Sequence, residues 1–136
     1  MIERIACKIV SDRDAEGEIV YSEAPVNFYL ADPKTSEIIE ENHPLKGVKI
    51  KGKAVVMPSG KGSAVVQIDG LYQLYMNDNA PALIVAKDPD PVIVSAVFIS
   101  NVPFATSINN DQFSMLKKGG RLKLLYKEKA LIYEGP

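Results

Sequence analysis

Ala54-Val55-Val56-Met57-Pro58-Ser59-Gly60-Lys61-Gly62-Ser63 sets a four-residue apolar run against a sharp polar break. A short, unbroken apolar run is the pattern of a strand covered on both faces. Pro58 and two glycines end it, and Ser63 stands as the N-cap of a helix expected over residues 64–76. Ala64, Ile68, Leu71, Tyr72 and Tyr75 recur at three- and four-residue spacing, so this helix is expected to bury that face. Gly70 inside it costs about 1 kcal/mol relative to alanine, which points to close packing against the sheet. Asn77-Asp78-Asn79 offers left-handed C-cap residues, and Pro81 prevents continuation.

The same unit recurs downstream. Ala82-Leu83-Ile84-Val85-Ala86 is a second buried-strand candidate, and Asp90-Pro91 reads as N-cap and first helical position. Residues 92–99 are rich in β-branched side chains and have strand propensity, but the capping signals favour a helix. Val102-Pro103-Phe104-Ala105 follows as a third short strand. Strand–helix–strand–helix–strand within about fifty residues implies parallel pairing with right-handed crossovers. Upstream, residues 4–10 alternate, with Ile5, Cys7 and Ile9 on one face. Residues 11–17 read as a polar turn and residues 18–21 as a return strand. Asp32-Pro33-Lys34-Thr35 is a turn, and residues 40–47 form a polar loop. Residues 121–126 against 130–133 read as a hairpin around Lys127-Glu128-Lys129. With no linker or repeat, residues 1–136 read as one α/β domain: a parallel βαβαβ centre, flanking antiparallel strands and a C-terminal hairpin.

Composition narrows the function. Of 136 residues, 46% are apolar and 24% charged, which is a globular balance. Sixteen basic and seventeen acidic side chains leave a formal charge of −1. No cationic field is available to attract nucleic acid or an anionic membrane. No apolar run approaches the ~18 residues a membrane span needs, and Met1-Ile2-Glu3-Arg4 lacks the apolar core of a signal peptide. The expectation is a cytoplasmic protein with no long exposed apolar segment. Cys7 is the only cysteine and His43 the only histidine. No intrachain disulfide can form, and an iron–sulfur cluster cannot be held by this chain alone. A zinc site normally wants three or four ligands, and no G-x-S-x-G elbow accompanies His43. Cys7 reads as a small buried hydrophobe. His43, extended before Pro44, reads as a loop anchor.

Only residues 57–63 bring glycines, a cation and a hydroxyl together between a buried strand and a helix start. Ligands of open α/β sheets bind beyond the carboxyl ends of the strands, where this loop falls. Its amides and the positive end of the helix dipole suit an anion, to which Lys61 adds a full charge. Gly60, Lys61 and Gly62 are therefore candidate substrate-binding positions. The plainer alternative is a tight turn with Ser63 as a cap only. A P-loop requires the hydroxyl directly after the lysine, but Gly62 intervenes and no glycine lies five positions before Gly60. The G-x-G-x-x-G dinucleotide fingerprint is also absent.

Gly17-Glu18, Ser22-Glu23-Ala24-Pro25, Asp32-Pro33, His43-Pro44-Leu45, Gly47, Lys51-Gly52-Lys53 and Pro58-Ser59-Gly60-Lys61-Gly62-Ser63 occur in the order of one family. Asn79-Ala80-Pro81-Ala82, Asp90-Pro91-Val92 and Val102-Pro103 continue the order. Over roughly residues 15–107 the chain resembles the small subunits of the aconitase-X group, most closely those of the archaeal phosphomevalonate dehydratases. The resemblance implies a swivelling β/β/α domain and a separate large subunit that carries a [4Fe–4S] cluster, with no cofactor bound by this chain. It also implies dehydration of a phosphorylated hydroxy acid, (R)-5-phosphomevalonate, to trans-anhydromevalonate 5-phosphate, with Ser63 as proton acceptor. Lys61 is then expected to assist Ser63 and to touch the substrate carboxylate or phosphate, inside a subunit interface surrounding residues 59–63. Two departures stand out. Ala64-Val65-Val66 follow the serine where the family often has small hydroxyl residues, and Tyr29-Leu30-Ala31 occupy a place of paired glycines. Alternatives are a related dehydratase acting on another hydroxy acid, such as a hydroxyproline, or a non-catalytic assembly module.

Overall fold

The computed structural model describes residues 1–136. Its elements run β1 (Ile2–Ile5), β2 (Lys8–Val10), β3 (Ala15–Tyr21), β4 (Ala54–Met57), α1 (Ala64–Met76), β5 (Leu83–Ala86), α2 (Pro91–Ser100), β6 (Phe104–Thr106), α3 (Asn110–Met115), β7 (Arg121–Leu125) and β8 (Ala130–Glu134). The strands form one sheet in the order β1-β8-β7-β3-β4-β5-β6-β2. The β3–β4, β4–β5 and β5–β6 pairs are parallel and the others antiparallel. The expected parallel centre and C-terminal hairpin are both present.

Each central strand is apolar throughout because its alternate side chains enter two cores. Val55, Met57, Ile84, Ala86 and Phe104 face one core, which α1 and α2 close with Leu71, Leu74, Ile93, Ala96 and Val97. Ala54, Val56, Leu83, Val85 and Ala105 face a second core, closed by Ile5, Phe113, Leu116, Leu122, Leu124, Leu131 and Tyr133. Burying one such aliphatic side chain contributes roughly 1.5–3 kcal/mol, so neither face can be left open. The result is helices on one side of the parallel strands and antiparallel strands curled over the other.

The first ten residues depart from expectation. Residues 4–10 are not one strand: the chain breaks at Ala6-Cys7, β1 pairs with β8, and β2 pairs with β6. Strands β1 and β2 lie at opposite ends of the strand order, yet Ile5 and Lys8 are three Cα steps apart, at most about 11 Å. The sheet must curl until its two ends meet. Ile5, Cys7 and Ile9 still share one face, toward the second core. Strand β3 also begins earlier than expected and does not return on β2. Its first half pairs with β7 and its second half with β4, so it joins the antiparallel and parallel parts.

Helix α1 has the expected ends but another buried face. Gln67, Gly70, Leu71 and Leu74 point inward, while Tyr72 and Tyr75 are exposed and Ala64 is in solvent. Gly70 packs not on the sheet but on the 3-10 turn Phe28–Leu30, where a Cβ would lie 2.2 Å from the Tyr29 nitrogen. That turn belongs to the long connector of residues 22–53, which side chains bind together. The buried Ser36 hydroxyl accepts from the Ile50 and Lys51 amides, each at 3.1 Å. His43 accepts from Leu45 N–H at 3.0 Å through Nδ1, so Nε2 carries the proton and donates to the Pro25 carbonyl at 2.9 Å. His43 is a buried loop anchor, as expected. Helix α2 follows its capping signals: Asp90 Oδ1 accepts from Val92 N–H at 2.9 Å, Pro91 opens the helix and Asn101 closes it in the left-handed region.

Candidate active site

The loops that follow β4, β5 and β6 meet at one edge of the sheet. The Lys87 and Asp88 amides donate to the carbonyls of Met57 and Pro58, and the Ile108 amide donates to that of Lys87. Against this base, residues 58–63 are held from the connector side by backbone pairing. Val26 N–H donates to Ser59 O at 3.2 Å, and Lys61 N–H donates to Val26 O at 3.3 Å.

Ser63 takes extended backbone angles ahead of α1, and its hydroxyl accepts from Val66 N–H at 3.4 Å. That is long for a capping hydrogen bond, whose usual range ends near ~3.2 Å. The hydroxyl is thus loosely engaged and exposed to solvent. The first turn of α1 contains no acidic residue, so the positive end of its dipole is uncompensated. Both readings of Ser63 are compatible here: it is a cap, and it is an accessible oxygen at an electropositive helix start.

The glycines serve two different needs. Gly62 has φ +95°, a left-handed conformation that side chains disfavour, with the Asn27 amide against it. Gly60 is confined by space: a Cβ would stand 2.5 Å from Gln67 Nε2 and 3.2 Å from Asp90 Oδ2. Lys61 is not a free cation. Its ammonium lies 2.5 Å from Glu40 Oε2, and Glu40 is the more buried partner, its side chain 18% exposed against 41% for Lys61. The connector therefore brings Glu40 and Asn27 to the loop, and α1 brings Gln67. Sequence reading misses these three. Gln67 carries one signal, a lone amide inside Val65-Val66-Gln67-Ile68, but apolar spacing leaves it off the buried face.

No group of three or more His, Cys, Asp or Glu side chains is placed to hold a metal ion. Cys7 lies on the β1–β2 break, and burial pushes its thiol up to about 11. A thiol so disfavoured as thiolate, with no second cysteine, does not fit an iron–sulfur cluster.

The loop is not enclosed. A cleft lined by residues 10–13, Val97, Phe98 and residues 101–103 lies at the other end of the parallel strands. Beside Ser63 runs a shallow apolar groove of Ala64, Val65, Ile68, Tyr72 and Ile99, with Asp69 as its only charge. Val65 on α1 and Phe98 on α2 are each 78% exposed. No helix is long and apolar enough to cross a membrane.

Comparison with known proteins gives consistent findings. Residues 4–132 match the family described as the aconitase X swivel domain. The phosphomevalonate dehydratase small subunit of Methanosarcina mazei is 38% identical over 113 residues, covering 82% of this chain and 78% of that one. The subunit of the same name from Methanococcoides burtonii is 34% identical over 122 residues, covering 89% and 88%. Among solved structures, Thermococcus kodakaraensis aconitase X (holo-form) superposes with a TM-score of 0.86 at 27% identity, covering 97% of this chain and 99% of that one. A UPF0107 protein solved in solution gives 0.83 at 26% identity, covering 98% and 99%. Fold, loop and relatives agree: the chain belongs to the aconitase X swivel domain family.

Proposed function

We propose that this chain is the small subunit of a phosphomevalonate dehydratase, a hydro-lyase of the archaeal mevalonate route, and that Ser63 is the proton acceptor of the joint active site. The observation that carries this reading is the placement of Ser63. It is an exposed, loosely capped hydroxyl at an uncompensated helix start, on a loop pinned from both sides. The names of the relatives support the reaction, and "small subunit" supports a larger partner.

Dehydration removes a C2 proton and a hydroxyl from (R)-5-phosphomevalonate, giving a carbon–carbon double bond and water. Within this chain the proton goes to Ser63 Oγ, which accepts it as the alkoxide and becomes a hydroxyl. The departing hydroxide leaves as water once a proton is returned to it from the serine through the site. A serine oxygen becomes basic only where water is excluded and positive charge is near. The helix start supplies partial positive charge, to which Lys61 adds its own only when released from Glu40. Exclusion of water requires a second surface over the loop, and the apolar Val65, Tyr72 and Ile99 beside it suit such contact. Lys61 serves the substrate's carboxylate or phosphate, exchanging or sharing Glu40 when the anion arrives. A [4Fe–4S] cluster, if used, belongs to the partner, since the residues of this chain do not fit one.

Co-expression with the large subunit, followed by anaerobic assay of the purified complex, tests the proposal. The complex is expected to convert phosphomevalonate and the isolated chain is not. A chain that turns over phosphomevalonate unaided, or a complex that leaves it untouched, overturns it.

A further inference from the structure

Gln67 is fully buried in the second turn of α1, four residues after Ser63. Its Oε1 accepts from Phe28 N–H at 2.7 Å, and its Nε2 donates to Val26 O at 3.0 Å and to Lys61 O at 3.3 Å. Each end of the amide meets a complementary backbone group, so its orientation is determined by the partners. Helical side chains lean toward the N-terminus, which is why residue 67 reaches the loop that precedes the helix. The amide also fills the space beside Gly60. One side chain thus ties the connector at residues 26–28 to the loop at 60–61 and to the helix that Ser63 caps.

The amide contributes to stability, because the buried Phe28 N–H has no other acceptor and would cost about 1–3 kcal/mol if left unpaired. It also fixes position. Resting on the reading of Ser63 as proton acceptor, we infer that Gln67 is a positioning residue that holds the Lys61–Gly62 peptide, and through it Ser63, in the reactive arrangement. The hydroxyl itself has only a long capping contact, so its place is set by the backbone on either side. Gln67 bonds that backbone at Lys61 O through its side chain and at Ser63 O through its own amide, at 3.0 Å.

The test uses the assembled complex with Gln67→Met, Gln67→Glu and, on the same helix away from the loop, Leu74→Val. A displacement of about 1 Å at a reacting group costs on the order of 100-fold, so Gln67→Met is expected to lower kcat roughly 10- to 100-fold with KM within about threefold. Amide hydrogen exchange across residues 59–63 should speed up in that variant and remain unchanged in Leu74→Val, which should also keep its kcat. In Gln67→Glu, the ionised carboxylate cannot donate to the two carbonyls, and burial raises its pKa; protonated, it regains one donor. The kcat of Gln67→Glu relative to wild type should therefore rise as pH falls, below the melting temperature throughout. A purely structural role would shift melting temperature with pH and leave that ratio flat.

The inference is overturned if Gln67→Met keeps kcat within twofold, if Leu74→Val reproduces its loss, or if the Gln67→Glu ratio is flat with pH. Should Gln67→Met not fold, the Gln67→Glu profile decides alone. If the wild-type complex does not dehydrate phosphomevalonate, the functional reading fails separately. Exchange at residues 59–63 then decides whether Gln67 holds the loop, and unchanged exchange overturns it.

Discussion

Two strand-to-helix connections leave the same edge of the sheet, residues 58–63 after β4 and residues 87–90 after β5, and they finish their helices differently. The second is closed. Asp90 puts a carboxylate at the start of α2 with a 2.9 Å bond to Val92 N–H, and prolines at 89 and 91 restrict the backbone on either side. Charge and hydrogen bonding at that helix start are satisfied within the chain. The first is open. Ser63 is neutral, its bond to Val66 N–H is 3.4 Å, and the loop before it is shaped by two glycines and held by side chains from elsewhere. The same scaffold position thus yields a structural cap in one place and a chemically available hydroxyl in the other. The difference lies in which helix start is left uncompensated.

Deleting the cap at each helix start is expected to have unequal effects. A positioned base contributes ~10²–10⁴-fold in rate, so Ser63→Ala should lose at least that much turnover in a complex that still assembles. Its capping loss, about 1 kcal/mol, should appear only as a melting temperature lower by several degrees. Turnover within threefold of wild type, measured well below the transition, would make Ser63 a cap only.

Gly60→Ala tests whether the open loop depends on being held. The new methyl would lie 2.5 Å from Gln67 Nε2. Displacing that amide should cost roughly tenfold or more in kcat, read by steady-state kinetics, with the subunits still co-purifying. Lys61→Met tests the cation. Losing one charged contact to the substrate should lower kcat/KM about tenfold. The half-exposed pair with Glu40 contributes no more than ~1 kcal/mol to folding, so calorimetry should find melting nearly unchanged. The smallest effect on chemistry belongs to the closed connection. Asp90→Ala should lose about 1–2 kcal/mol of stability, yet keep turnover within threefold at moderate temperature. An activity loss on the scale of Ser63→Ala would erase the distinction between the two loops.

Much of the fold is legible because local signals are strong and agree with one another. The strand at 54–57, the cap at Ser63, the Asp90-Pro91 start and the hairpin near residues 121–134 all match. The misreadings share a cause. Apolar spacing puts Ala64, Tyr72 and Tyr75 on the buried face of α1, yet they point outward and Gln67 points inward. Apolar periodicity locates a buried stripe only when every covered surface lies within the chain, and here part of the apolar surface has no cover. At the first strand, alternation is correct for the facing of Ile5, Cys7 and Ile9, but it says nothing about which partner each half pairs with.

Local signals along the chain specify the set of elements and the candidate loop at residues 58–63. Capping residues, turn residues and a doubly buried apolar run act over a few positions, so they can be read along the chain. How that loop is held depends on the packing of segments far apart in the chain. Lys61 is paired with Glu40 across 21 positions, and Gln67 reaches Val26 across 41. The sheet closes by placing β1 and β2 at its opposite ends. Such contacts depend on how a 32-residue connector at 22–53 packs over α1, and no short-range pattern encodes that path. The hydroxyl was visible in the sequence; its position is set by partners that only folding brings near.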